Sequence, residues 1–322
     1  MAAPRRGPGP DPPTTAPQVT VTVTLAGWAA RWLLFGGLLT AVGAVTVRGV
    51  LLPLESDREA RARAARTLAG AGAWGTGAVL AGLAALFAVQ LAEFRDPFAP
   101  LTEDVTLLLG SSWGGAWKAG GGAAVVALVG FLGARGVGRG PLRTGGWVLA
   151  AAASCAVCFY PAFTGHAMSG PRPWSWLADG VHVLAAGAWL GSIPLLLLLV
   201  RRRLREGGRG GEVAGLLTAF APVALSAAAL LTATGVFASW TLLPGPAALV
   251  DTRYGRTLLL KVGLVGAVAV LGAVNWRRSV PRLQDTGEAR GFRRVALAEW
   301  VASHAVLAVT AWLVHTPPPG GE

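Results

Sequence analysis

Residues 176–200 read WLADGVHVLAAGAWLGSIPLLLLLV, and RRRLR follows at once at 201–205. Twenty-five residues with only one acidic group and one imidazole, closed by a block of arginines, have the length and composition of a helix that crosses a bilayer. The arginine block marks its cytoplasmic end. The same pattern recurs outward from this stretch, in WLLFGGLLTAVGAVTV (32–47) and LLLKVGLVGAVAVLGAV (258–274). Over the whole chain, hydrophobic residues make up 53% and charged residues 14%, with a mean hydropathy of +0.54. A soluble domain carries about 25% charged residues. The chain is therefore expected to be an all-α polytopic membrane protein.

Hydropathy and helix breakers predict a bundle of about eight transmembrane helices, at 26–48, 70–92, 113–134, 145–164, 175–200, 213–241, 256–276 and 294–315. Residues 1–25, rich in proline and without an apolar signal core, read as a disordered tail. Residues 26–316 read as a single helical domain, and 317–322 as a short C-terminal tail.

The net charge of +12 does not indicate nucleic-acid binding, because the arginines sit in short clusters between apolar runs. Arg58, Arg61, Arg63 and Arg66 fall in the first loop, and Arg135, Arg139 and Arg143 in the third. Arg201, Arg202, Arg203, Arg205 and Arg209 fall in the fifth, and Arg277, Arg278, Arg282, Arg290, Arg293 and Arg294 in the seventh. The intervening loops are poor in arginine, and EFRDPFAPLTED (93–104) is net acidic. The positive-inside rule places the odd loops in the cytoplasm and both termini outside, against the weaker signal of Arg5 and Arg6. Glycine-rich stretches such as GAGAWGTGAVLAG (70–82) and AGGGAAVVALVG (119–130) read as packing seams, since small residues let helices approach closely in lipid.

Side chains able to bind a metal are scarce and clustered. Cys155, Cys158, His166, Met168 and His182 fall within 28 residues, and they include both cysteines and the one methionine besides Met1. Cys155 and Cys158 share a helix face at i and i+3, as do Asp179 and His182. His166 and Met168 fall in the outer loop, and His182 lies about 11 Å below it at 1.5 Å per residue. Thiolates and thioethers suit Cu(I), and imidazole accepts copper in either state, so the mixed set points to copper. Ionisable groups within a membrane are costly and mark functional sites. This singles out His182, with Asp179 as its orienting carboxylate. On the last span, His304 lies near the midplane, Glu299 nearer the cytoplasm as a proton or metal relay, and His315 at the outer boundary. Lys261, early in the seventh span, is expected to snorkel outward.

At these residues the chain resembles the copper resistance protein D family of bacterial inner-membrane proteins. WLADGVHVLAAGAWLGSIPLLLLL matches that family's Asp-x-x-His and Trp-Leu-Gly segment. TGVFASWTLL followed by YGRTLLLKVGLVGAVAVLGAVNWRR matches its Tyr-Gly, Lys and Asn-Arg stretch. LLLGSSWGGAWKAG, with Lys118 in place of an arginine, and LAEWVASHAVLAVTAWLVHTPPP match two more. The resemblance runs from about Trp28 to Pro318. It implies an eight-helix protein of the cytoplasmic membrane that moves copper and works with a periplasmic chaperone resembling copper resistance protein C; the chain itself shows no β-sandwich domain of that kind. Cys155, Cys158 and His304 fall outside the family pattern, so their assignment to copper rests on residue chemistry alone.

No P-loop or phosphorylation-type ATPase motif is present, so the expected activity is facilitated or ion-coupled copper transport and not an enzymatic one. Two other readings share the residues. One is a haem-binding electron-transfer protein, with His182 and His304 as axial ligands. The other is a membrane scaffold that docks a copper chaperone through its outer loops.

Overall fold

The computed structural model describes residues 16–51, 54–55, 57–136, 140–164, 171, 173–207, 210–286, 289–316 and 319. These form helices α1 (Ala16–Leu51), α2 (Arg58–Phe94), α3 (Leu101–Gly110), α4 (Ser112–Arg135), α5 (Pro141–Val157), α6 (Tyr160–Thr164) and α7 (Trp174–Trp189). There follow α8 (Ser192–Arg205), α9 (Gly210–Leu242), α10 (Ala248–Asp251), α11 (Arg253–Val274), α12 (Val280–Thr286) and α13 (Ala289–His315). Among the described residues there is no strand, and eight helical segments are long and apolar enough to cross a membrane. The chain is a multi-pass membrane protein.

Three of the eight crossings are interrupted, each with a proline just after the break, whereas Pro222 lies within the continuous α9. A proline has no N–H, and its ring clashes with the carbonyl four residues earlier. Pro194 acts on Leu190, and the fifth crossing turns at Leu190–Gly191 between α7 and α8, where the expected span was continuous. Pro161 acts on Val157 and separates α5 from α6. In the seventh crossing Pro281 acts on Arg277, and a π-helical turn over Asn275–Ser279 joins α11 to α12. That crossing therefore runs to Asp285, beyond the arginine pair where it was expected to stop.

Helix α1 is the centre of the bundle, packing on α2, α5, α7, α8, α9 and α13. Its glycines set the closest approaches. A Cβ on Gly37 would meet the Gly75 carbonyl oxygen of α2 at 2.4 Å, and one on Gly43 would meet that of Gly191 at 2.3 Å. The first seam lies in the glycine-rich stretch expected to pack. In the second stretch a Cβ on Gly130 would meet the Ala150 nitrogen of α5 at 2.5 Å, while Gly121 and Gly122 face open space. Indole N–H groups tie the helices further: Trp28 donates to the Ala308 carbonyl of α13 at 3.0 Å, and Trp117 to the Leu83 carbonyl of α2 at 2.8 Å.

The acidic second loop contains a helix that hydropathy did not predict. Glu103 and Asp104 lie in the first turn of α3, where carboxylates favour the helix dipole. Asp104 is buried and ion-paired with Arg95, which also donates to the Ala99 carbonyl at 2.8 Å.

Candidate functional site

The start of α2, the end of α4 and start of α5, the end of α8 and the start of α13 carry the arginine clusters. A cavity of about 260 Å³ opens among the opposite helix ends. Its walls come from the early part of α1, the end of α2, α6, the start of α7, the end of α9, the start of α11 and the end of α13. On α7, Ser175, Asp179 and His182 recur at intervals of four and three residues, so one helix face presents all three to the cavity.

His182 is fixed by α9. Its Nδ1 lies 2.9 Å from the Thr234 hydroxyl, and that hydroxyl donates its own hydrogen to the Leu230 carbonyl at 2.6 Å. With its hydrogen on that carbonyl, Thr234 accepts from the imidazole, an arrangement that puts the proton on Nδ1 and leaves the Nε2 lone pair free. A ring nitrogen engaged in this way sets which nitrogen can bind a metal. The residue next to Thr234 is Gly235, where a Cβ would stand 3.8 Å from His182 Cε1.

Asp179 shares the cavity with Lys261 and Tyr254 of α11 and interacts electrostatically with both. Among the described residues Asp179 and Lys261 form no direct ion pair. Lys261 was expected to snorkel outward; it lines the cavity beside the carboxylate, at the helix ends opposite the arginines. A carboxylate so close offsets its charge, which lipid would not. Farther round the wall, Arg31 of α1 faces Glu93 of α2 and Tyr160 of α6. The Ser175 hydroxyl is buried with no hydrogen-bond partner among the described residues, leaving a polar atom free for a guest.

The other expected ligands lie elsewhere. His166 and Met168 fall outside the described residues. Cys155 and Cys158 do not line the cavity: the Cys158 thiol is fully buried and donates to the Ser154 carbonyl at 3.2 Å. Between the cysteines and α6, Phe159 fills the hollow above Gly180 of α7. His304 is wedged between Trp300 and Trp32, with ring centroids 4.4 and 6.0 Å away, and its Nδ1 donates to the Trp300 carbonyl at 3.0 Å. His304 is absent from the cavity wall, so it does not face His182 as a haem-ligating pair would. Glu299 is buried against Gly272 of α11, on the same helix face as Asn275 of the π turn. No group of three or more His, Cys, Asp or Glu able to hold a metal occurs among the described residues.

Thr234, Tyr254, Arg31 and Ser175 were not singled out from the sequence. Arg31 carried a readable signal, as a charge inside an apolar run. The hydroxyls carried none, because threonine and serine are common in membrane helices and often bond to their own backbone.

Residues 214–313 match the family model described as copper resistance protein D. The chain is 30% identical over 161 residues to a protein named copper transport protein CutJ from Bacillus subtilis, covering 49% of this chain and 28% of that protein. It is 28% identical over 165 residues to copper resistance protein D of Pseudomonas syringae pv. tomato, covering 47% of this chain and 53% of that one. The chain thus spans about half or less of the length of these relatives. No solved structure matches. The matched region includes the cavity wall formed by Thr234, Tyr254 and Lys261, and over it the chain is similar to the copper resistance protein D family.

Proposed function

We propose that the chain moves copper across the bacterial cytoplasmic membrane, in the direction of uptake, with the His182 cavity as its binding station. The observation that carries this reading is the His182 imidazole, held at Nδ1 by Thr234 and one turn from Asp179, in a cavity at the end opposite the arginines. Copper accepts imidazole nitrogen readily. The names of both relatives, one a copper transport protein and one a copper resistance protein, support copper as the cargo.

In this reading both termini and the loop carrying His166 and Met168 lie outside, and those two side chains collect the ion. A periplasmic chaperone resembling copper resistance protein C delivers it. His182 then holds the ion, with Asp179 and the Ser175 hydroxyl completing its surroundings. So small a set of protein groups suits a station that must release its ion as well as bind it. Glu299, buried between α11 and α13 on the arginine side, carries a proton or the ion onward.

Copper loading of purified protein tests the station. One equivalent of copper should bind, and His182→Ala should abolish that binding. Failure of the unmodified protein to bind, or retention of full binding in His182→Ala, overturns the assignment. Cellular copper content tests the direction: expression should raise it, and a fall would mean export.

A further inference from the structure

A second cavity, of about 640 Å³, opens at the arginine-rich end, between the start of α2, the end of α4 and the end of α8. Five arginines line it: Arg63, Arg66, Arg135, Arg202 and Arg203, against Glu55 and Glu206. Two of the five are engaged by carboxylates. Arg203 pairs with Glu55, and Arg63 with Glu59 at 3.4 Å. Arg202 donates to the Thr67 hydroxyl, and the guanidinium of Arg135 extends over Gly70, where a Cβ would stand 3.8 Å from its Nε. Among the described residues, Arg66, Arg135 and Arg202 form no salt bridge. The cavity is thus a net basic pocket in which three guanidinium groups converge from three helices.

Its other wall is apolar. Ala71, Leu198, Leu199 and Leu216 line it, and Trp74 stands at its edge 81% exposed. Trp74 lies two turns of α2 beyond Thr67 in the direction of the membrane interior. A tryptophan exposed in this position suits the level where headgroups meet acyl chains. Topology alone asks for arginines in the loop and needs neither a cavity nor an apolar wall.

We propose that this pocket binds one anionic phospholipid of the leaflet at the arginine-rich end. Its phosphate lies among Arg66, Arg135 and Arg202, and an acyl chain runs along Leu198, Leu199 and Trp74. Guanidinium groups recognise phosphate oxygens in a forked, bidentate geometry, and basic pockets between membrane helices hold anionic headgroups in this way. A soluble phosphate would use the guanidinium groups but leave the apolar wall unused, which is why a lipid is the better match. The site is independent of the copper cavity at the other end of the bundle.

Native mass spectrometry of the full chain in detergent, titrated with phosphatidylglycerol, phosphatidylcholine or inorganic phosphate, tests the proposal. One phosphatidylglycerol should remain bound in preference to phosphatidylcholine, and inorganic phosphate should not displace it. Each of Arg66→Gln, Arg135→Gln and Arg202→Gln should weaken that binding about fivefold. Trp74→Ala should weaken it without altering the charge, which keeps a test available should an arginine variant fail to fold. Equal retention of the two lipids, displacement by phosphate alone, or undiminished binding in folded variants would each overturn it.

Discussion

At the scale of single residues, the chemistry of the cavity turns on one hydroxyl. Thr234 Oγ1 lies 2.9 Å from His182 Nδ1 and can accept from it while its own hydrogen goes to the Leu230 carbonyl. Thr234→Val keeps the shape and removes the acceptor, leaving the imidazole free to change tautomer. Copper affinity should then fall by about 10- to 100-fold, the usual cost of losing such a partner, and a competition titration against a copper chelator measures it. The charges beside His182 make a second prediction. The Lys261 ammonium repels an incoming cation, and the Asp179 carboxylate attracts it. Lys261→Met should raise copper affinity about tenfold and Asp179→Asn lower it by a similar factor, the order expected for a unit charge several ångströms away in a partly hydrated site. Equal effects of the same sign would show that the two residues act through folding. His182 and Asp179 were legible in the sequence, being ionisable groups at helical spacing in an apolar run. That Lys261 lines the same cavity was not, because which face of its helix meets α7 is set by helix rotation.

At the scale of elements, the crossings depend on backbone contacts that only glycine permits. A Cβ on Gly191 would come within 1.9 Å of the Leu39 carbonyl oxygen, so α1 and the α7–α8 turn would have to separate. Gly191→Ala should destabilise the protein by about 1–3 kcal/mol, as overpacking of a close contact does. Because α1 and α7 both line the cavity, copper affinity should fall as well. Gly77, which has nothing within 4 Å of an added Cβ, provides the control: Gly77→Ala should leave melting in detergent unchanged. The apolar runs announced the eight crossings, and the arginine blocks announced many of their ends. A proline, Pro161, Pro194 or Pro281, stands just after each of the three breaks. A hydropathy window averages over such residues and so missed them. Helix α3 was missed for the opposite reason: its first turn is acidic, and its buried Asp104 is ion-paired with Arg95 from outside the helix.

At the scale of the whole molecule, the two ends of the bundle differ in kind. One end gathers arginines around a basic pocket, and the other holds the cavity with Asp179, His182 and Lys261. The positive-inside rule predicts that the second end faces outside the cell. Phe98, 96% exposed in the turn between α2 and α3, reports on it. In a variant with Cys155 and Cys158 replaced by serine, Phe98→Cys should react with a membrane-impermeant thiol reagent in intact spheroplasts. Reaction only after lysis would invert the orientation. The sequence by itself determined that the chain crosses a membrane about eight times and which loops carry the charge. Length, hydropathy and arginine placement are properties of consecutive residues. It also picked out Asp179 and His182, since the cost of an ionisable group in lipid depends only on its span. Which ligands share a site was decided by the tertiary structure alone. His182 meets Thr234, 52 residues away, and Lys261, 79 residues away, while the nearer Cys158 is turned into the core against its own backbone. Neighbourhood across a bundle depends on helix rotation and on where glycines let backbones touch, and neither is written in the spacing of the ligands along the chain.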